Sequence, residues 1–323
     1  MNKQKIVVTG GAGFIGSNLV EALNKRGESD ILVVDDLGND DKWRNLVGLN
    51  YVDYTVKDDF RFHLRNDSLK KVDLVFHLGA CSSTAERNAA FLADNNYRFT
   101  CELCEWCLRH GARFVYASSA ATYGGGAEGY SDDIAGITRL KPLNMYGYSK
   151  QMFDLWALKR GLLDKIAGIK YFNVYGPREA HKGEMRSMVH KAFCQVRETG
   201  KIRLFKSHHP GYRDGEQVRD FLHVRDAVAV TMFFADKRNI NGIFNCGSGK
   251  KRTWLDLAHA VFAALRLPPQ IEFIAMPEFL RARYQYDTEA DVSRLRAAGY
   301  ISKFMSLEEG VCDYVEYLQS GGI

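Results

Sequence analysis

Apolar residues fall in short, largely β-branched runs at Lys5 to Thr9, Asp30 to Val34, Asp73 to Leu78, Arg113 to Ala117, Gly168 to Phe172 and Ile243 to Cys246. Such brief runs, bounded by glycine, serine or charged residues, read as strands buried on both faces. Between them the spacing turns helical, as in Leu19, Val20 and Leu23 ahead of Gly27, or Phe99, Leu103, Trp106 and Leu108. Alternating strands and helices, with glycine or serine where strands end, predict an α/β fold: a doubly wound, Rossmann-type parallel sheet that binds ligands outside the carboxyl ends of its strands. From Gly183 the alternation weakens. Lys201 to Arg219 reads as an inserted polar loop region, Asp220 to Val224 and Ile243 to Cys246 as strands returning to the larger sheet. Thr253 to Leu267 and Ser306 to Leu318 read as helices, the second opened by a Ser306/Glu309 capping box. The expected organisation is a dinucleotide-binding domain over 1–175, rejoined by strands near 219–247, and a smaller, interleaved C-terminal substrate domain over 176–323.

Composition narrows the chemistry. The 323 residues are 46% hydrophobic and 26% charged, enough for a large core. The net charge of +5 is spread along the chain, which argues against nucleic acid as a partner. No long apolar segment stands ahead of Ile6 in Met1 to Lys5, so neither a leader nor a membrane span is expected, and the cytoplasm is the expected location. Seven cysteines, an odd number, then read as reduced thiols. Cys101, Cys104, Cys107 and His110 imitate a metal motif. On a helix, steps of three spread them over about 13 Å of axis, too far to share one ion, so no metal is expected.

Gly10-Gly11-Ala12-Gly13-Phe14-Ile15-Gly16 stands between the first strand and the first helix, the context in which spaced glycines bring a pyrophosphate onto helix N–H groups. No Gly-Lys-Ser/Thr ending follows, which excludes a Walker phosphate loop. Asp35 and Asp36, at the end of the second strand, suit an adenosine ribose and favour NAD; Lys42 and Lys57 follow, and either suits a 2′-phosphate, so these residues leave NAD and NADP open. Asn144 is a fitting N-cap for a helix running to Gly161, which puts Tyr146 and Lys150 on one face. An ammonium there would favour the phenolate and make Tyr146 a general base. Ser119, at a strand end, is placed either to hydrogen-bond a substrate oxygen or to satisfy local backbone, and Lys182, in the loop after Asn173-Val174-Tyr175-Gly176-Pro177-Arg178, either points into the same crevice or stays a solvated loop lysine. The basic loop before Arg219 suits an anionic ligand.

Gly10-x-x-Gly13-x-x-Gly16, Ser119 ahead of Thr122-Tyr123-Gly124, and Tyr146-x-x-x-Lys150, in that order, resemble the extended short-chain dehydrogenase/reductase family over nearly the whole chain. Ala80-Cys81-Ser82-Ser83-Thr84, Tyr171 to Glu179, His181-Lys182-Gly183 and Arg296-Ala297-Ala298-Gly299-Tyr300 are similar to the branch that acts on ADP-heptose, a nucleotide sugar of lipopolysaccharide core synthesis. The resemblance implies that a hydride leaves C6 of the heptose for tightly bound NADP, NAD being the lesser expectation, and returns to the other face of a 6-keto sugar. Two faces ask for two acid/base groups, which the resemblance supplies as Tyr146 and Lys182, with Ser119 orienting the oxygen and Lys150 holding the cofactor ribose. Cofactor contacts carry over onto Gly10, Gly13, Phe14, Ile15, Gly16, Asp35, Asp36, Lys42, Lys57, Leu78, Gly79, Ala80, Asn95 and Val174, besides Tyr146, Lys150 and Lys182. Substrate contacts carry over onto Ser82, Ser119, Asn173, Glu184, Lys191, Phe205, Arg219 and Tyr284, with Arg213 added on charge. A homo-oligomer, pentameric by the same resemblance, is implied. A 4,6-dehydratase would carry an Asp-Glu pair where Ala120-Ala121 stand, a C4 epimerase would leave the Lys182 motif unexplained, and a silent cofactor-binding protein would not need Tyr146 and Lys150.

Overall fold

The computed structural model describes residues 4–281 and 284–322, so residues 1–3 of the segment ahead of Ile6 lie outside the described residues. Twelve strands are found among them: β1 Ile6–Thr9, β2 Ile31–Val34, β3 Asp53–Thr55, β4 Leu74–His77, β5 Arg113–Ser119, β6 Ala167–Tyr171, β7 Asn173–Tyr175, β8 Ile202–Phe205, β9 Val218–His223, β10 Gly242–Cys246, β11 Lys251–Thr253 and β12 Ile271–Ile274. Seven build one sheet in the order β10-β6-β5-β4-β1-β2-β3, with every pair parallel. Each strand alternates its side chains between two apolar layers. Ile6 and Val8 face the helices Phe14–Lys25 and Val224–Asp236, while Val7 faces Phe99–His110 and Met145–Lys159. Burial on both sides is why these strands are short, apolar runs rather than alternating ones. The fold is thus a doubly wound parallel sheet, as the pattern predicted.

The return of the chain differs from expectation at one strand. β10 joins the large sheet beside β6, in register from Gly242 with Ala167 to Cys246 with Tyr171. β9 does not. After β6 the chain peels away at Phe172, and the short β7 offers a fresh edge on which β9 pairs, Asn173 opposite Phe221. β11 completes this three-stranded sheet, and β8 with β12 makes a parallel pair beside it. Both belong to a third apolar cluster that includes Val189, Leu204, Phe221, Leu257, Val261, Val311 and Tyr314. Local propensity read β9 correctly as a strand, but its partner was decided by the divergence of β7. Cys104 and Cys107 are buried thiols in the helix core. Among the described residues no helix is long and apolar enough to cross a membrane.

Candidate active site

Strand order reverses between β1 and β4, where connections leave in opposite directions and open a crevice at the strand ends. A cleft of about 700 Å³ lies there. The glycine turn forms its floor, and its packing leaves no room for side chains. A Cβ on Gly16 would come within 2.0 Å of the Gly10 carbonyl oxygen, and one on Gly10, at φ +70°, within 2.6 Å of Gly79 N. The turn is therefore pressed against the end of β4, with the N-terminus of the helix Phe14–Lys25 facing the cleft, an arrangement that suits a dinucleotide pyrophosphate.

At the far side of this floor, Asp35 is buried and engaged three ways. It accepts from Ala12 N–H at 2.9 Å, from Asp36 N–H at 2.7 Å and from Lys42 Nζ at 2.5 Å. The carboxylate braces the glycine turn while holding an ammonium at the cleft edge. Lys57 goes elsewhere: its ammonium donates to Asn95 Oδ1 at 3.0 Å, and neither residue lines the cleft, nor does exposed Asp36.

Tyr146 sits at the start of the helix Met145–Lys159, whose first turn is capped by Asn144 accepting from Gly147 N–H at 2.8 Å. Gly147 lets that turn lie directly on the chain leaving β5, since a Cβ would meet the Ala121 carbonyl oxygen at 2.6 Å. This contact brings Ser119 to the phenol, with which it shares a hydrogen bond. Lys150 behaves otherwise than its spacing suggested. Its ammonium donates to the Ala117 carbonyl at 2.8 Å, and burial lowers its pKa to about 8, partly opposed by Asp154. Tyr146 itself is raised above the ordinary tyrosine value by burial, with the Ser119 hydrogen bond acting the other way and Cys81 adding to the rise. The expectation that Lys150 four residues on would by itself favour the phenolate is thus corrected: in the protein alone, desolvation wins.

Beneath these groups lies a charge cluster without solvent access. Asp154 accepts from Lys170 Nζ at 2.9 Å, Ser118 Oγ at 2.7 Å and Tyr116 OH at 3.0 Å; Lys170 also donates to Thr122 Oγ1, which donates to the Ser119 carbonyl. It ties the Tyr146 helix, β5, β6 and the Ser119 turn into one unit.

Lys182 reaches the cleft from another direction. The segment after β7 is clamped to the first helix: Asn18 donates to the Pro177 carbonyl, Arg178 to the carbonyls of Ser17 and Asn45, and Asn45 back to the Arg178 carbonyl. Arg178 takes φ +71° within this clamp. The following turn sets Lys182 Nζ 5.1 Å above the ring of Phe14. Burial lowers the Lys182 pKa, opposed by Glu179, with Lys191 adding to the lowering. Tyr146 and Lys182 therefore line one cleft from separate elements, together with Ser82, Leu78, Gly79, Ala80, Gly13, Ile15, Asn173 and Val174.

Other sequence candidates lie outside the lining. Glu184 is exposed and bonded by Lys191, and Arg213 is exposed on its loop. Phe205 closes β8. Arg219 and Tyr284 come together beyond the cleft wall on Trp254, which does line it. The Arg219 guanidinium lies 5.4 Å from the Trp254 ring and 5.1 Å from Tyr284, whose hydroxyl accepts from the indole N–H at 2.8 Å. Residues the sequence reading did not name also line the cleft: Trp254, Gln285 and Thr288. Thr288 carried no local signal, because its role depends on meeting Asn173 and Asp220 across the chain.

These features define a pyridine-nucleotide-binding fold with a tyrosine-centred cleft, and the chain belongs to the NAD dependent epimerase/dehydratase family, whose model matches residues 6–247. Among its relatives, the ADP-L-glycero-D-manno-heptose-6-epimerase of Nitratidesulfovibrio vulgaris strain DP4 is 55% identical, with 97% of each chain covered. The structure of the Helicobacter pylori ADP-L-glycero-D-manno-heptose-6-epimerase superposes with a TM-score of 0.83 at 27% identity, covering 98% of this chain and 97% of that one. The Thermus thermophilus UDP-glucose 4-epimerase, in complex with NAD, superposes with a TM-score of 0.77 at 26% identity, covering 97% of this chain and 98% of that one.

Proposed function

We propose that the protein inverts C6 of the heptose in an ADP-heptose, for lipopolysaccharide core synthesis in the cytoplasm, with NADP as resident cofactor. The observation that carries this reading is the convergence of Tyr146 and Lys182 on one cleft from independent elements, since inversion through a ketone needs proton transfer on two faces. Relatives named for that reaction support the choice of sugar. The glycine turn, Asp35 and Lys42 would hold the adenosine half of the cofactor, and Lys42 supports NADP, because an ammonium at the ribose edge suits a 2′-phosphate. When bound, the pyridine nucleotide supplies hydride acceptance and return, and in its oxidised form adds positive charge to the pocket.

The residues do the rest. Ser119 orients the C6 oxygen while Tyr146 or Lys182, according to the face presented, removes the hydroxyl proton. Rotation about the exocyclic C5–C6 bond then turns the other carbonyl face to the same cleft, and the opposite group returns a proton. Burial raises Tyr146 in the protein alone, the Ser119 hydrogen bond opposes the rise, and positive charge held beside the phenol would favour its work as a base. Asn173 and Ser82 would contact the sugar, while Arg219 packs with Tyr284 behind the lining residue Trp254. Ala120 and Ala121 leave the Ser119 turn without the acid a dehydratase needs. A homo-oligomer, a pentamer by resemblance, is part of the same reading, and light scattering checks it.

The test is direct. Incubated with one C6 epimer of ADP-heptose and followed by NMR, the protein should bring both epimers to equilibrium, and Tyr146→Phe and Lys182→Met should each stop this while retaining cofactor. A Lys182→Met protein with near-normal turnover would sink the two-group mechanism.

A further inference from the structure

We infer that Thr288 is a specificity-determining residue, whose hydroxyl donates to the same sugar hydroxyl that donates in turn to Asn173. This rests on the reading of the cleft as a nucleotide-sugar site and names a contact within it. Thr288 is buried, and it and Asn173 line the cleft from segments 115 residues apart. Their hydrogen bonds leave a defined remainder. The Asn173 side-chain nitrogen donates to the Asp220 carbonyl at 3.1 Å and to Thr288 Oγ1 at 3.4 Å. A carbonyl only accepts, so this contact fixes which end of the amide is nitrogen, and Oδ1 at the other end meets no donor among the described residues. Thr288 Oγ1 accepts twice, from that nitrogen and from Asp220 N–H at 3.3 Å. Both its lone pairs are then used, and among the described residues nothing accepts its proton.

One acceptor and one donor thus stand side by side on the cleft wall. A ligand hydroxyl answers both, because it donates through its hydrogen and accepts on its oxygen, whereas a phosphate or ketone oxygen only accepts and leaves Asn173 Oδ1 unmatched. The chemistry selected is that of a polyol, the sugar half of a nucleotide sugar. The pair is held from behind. Ala290, two residues beyond Thr288, donates its N–H to Asp220 Oδ2 at 3.0 Å, and the same buried carboxylate accepts from Ser248 N–H, Ser248 Oγ and Gly249 N–H. These bonds fix the segment carrying Thr288 against β9, while Asn173 is fixed by the pairing of β7 with the same strand. In the proposed reaction Ser119 and Tyr146 take the C6 oxygen, which leaves Thr288 and Asn173 for a ring hydroxyl. Holding it keeps the ring still while the C5–C6 bond turns.

Calorimetric titration of cofactor-saturated protein with ADP-heptose and, separately, with ADP tests this. Thr288→Val, which keeps the shape and removes the hydroxyl, should weaken ADP-heptose binding by about tenfold or more and leave ADP binding unchanged. Thr288→Ser should bind both ligands as the parent does. Equal losses for the two ligands describe a displaced wall rather than a sugar contact and overturn the inference, as does no loss for either. If Thr288→Val fails to fold, Thr288→Cys, with a weaker donor in the same place, carries the same comparison. A parent protein that binds ADP-heptose without interconverting its C6 epimers refutes the epimerase reading and leaves the comparison of ligands to report on Thr288; one that does not bind ADP-heptose refutes both.

Discussion

Replacing Lys170 by methionine removes the cation from the charge cluster beneath Ser119 and Tyr146. Lys170 and Asp154 have fully buried side chains 2.9 Å apart, so no water is at hand to replace the lost partner. Asp154 would keep its bonds from Tyr116 and Ser118, and Thr122 would lose the ammonium at 2.6 Å. Leaving one member of a buried pair uncompensated costs about 3–5 kcal/mol, a large part of the roughly 5–15 kcal/mol that stabilises a typical protein. In a chain of this size that lowers the melting temperature by roughly 4 to 7 °C. Differential scanning fluorimetry and urea denaturation measure it, with turnover followed in parallel because the Ser119 turn loosens. The double variant Lys170→Met/Asp154→Asn, which removes both charges and leaves an amide oxygen to accept from one of the two hydroxyls while the amide nitrogen donates to the other, should regain more than half of the loss. A single variant within about 1 kcal/mol of the parent, or a double variant no better than the single, would refute the assignment of this pair as an uncompensated-charge problem.

Gly16→Ala should weaken dinucleotide binding by about 100-fold or more, since its methyl would have to displace the Gly10 carbonyl, and a fluorescence titration of cofactor-stripped protein reads this directly. Lys42→Ala should cut NADP affinity by about tenfold while leaving NAD little changed; equal losses for both would remove Lys42 from cofactor selection. His77, buried between Thr9 and Thr100, has its pKa lowered to about 3 by burial. The folded pKa lies below the unfolded one, so its stabilising contribution is complete above about pH 6.5 and is lost as pH falls toward 3. At pH 5 that amounts to about 2 kcal/mol, and denaturation of His77→Gln should show a correspondingly smaller drop between pH 7 and 5.

Periodicity alone determined the large sheet, because strands buried on both faces and amphipathic helices leave strong marks in composition. The glycine turn was equally legible, since its φ angle and close packing forbid side chains and so write themselves into the sequence at Gly10 and Gly16. Asn144 and Ser306 announced their helices through side-chain chemistry that acts within three residues, and both cap as expected. What lay beyond such short range required the tertiary structure. The partner of β9 depended on where β7 left the sheet, and the neighbours of Thr288 and Trp254 on strands distant in the chain. The pairing of Tyr146 with Lys150 was visible as a spacing, but the electrostatics were not: burial of the phenol reversed the expected shift, while the ammonium donates to the Ala117 carbonyl. A sequence records which groups are present and how far apart they are along the chain, whereas desolvation depends on everything packed around them.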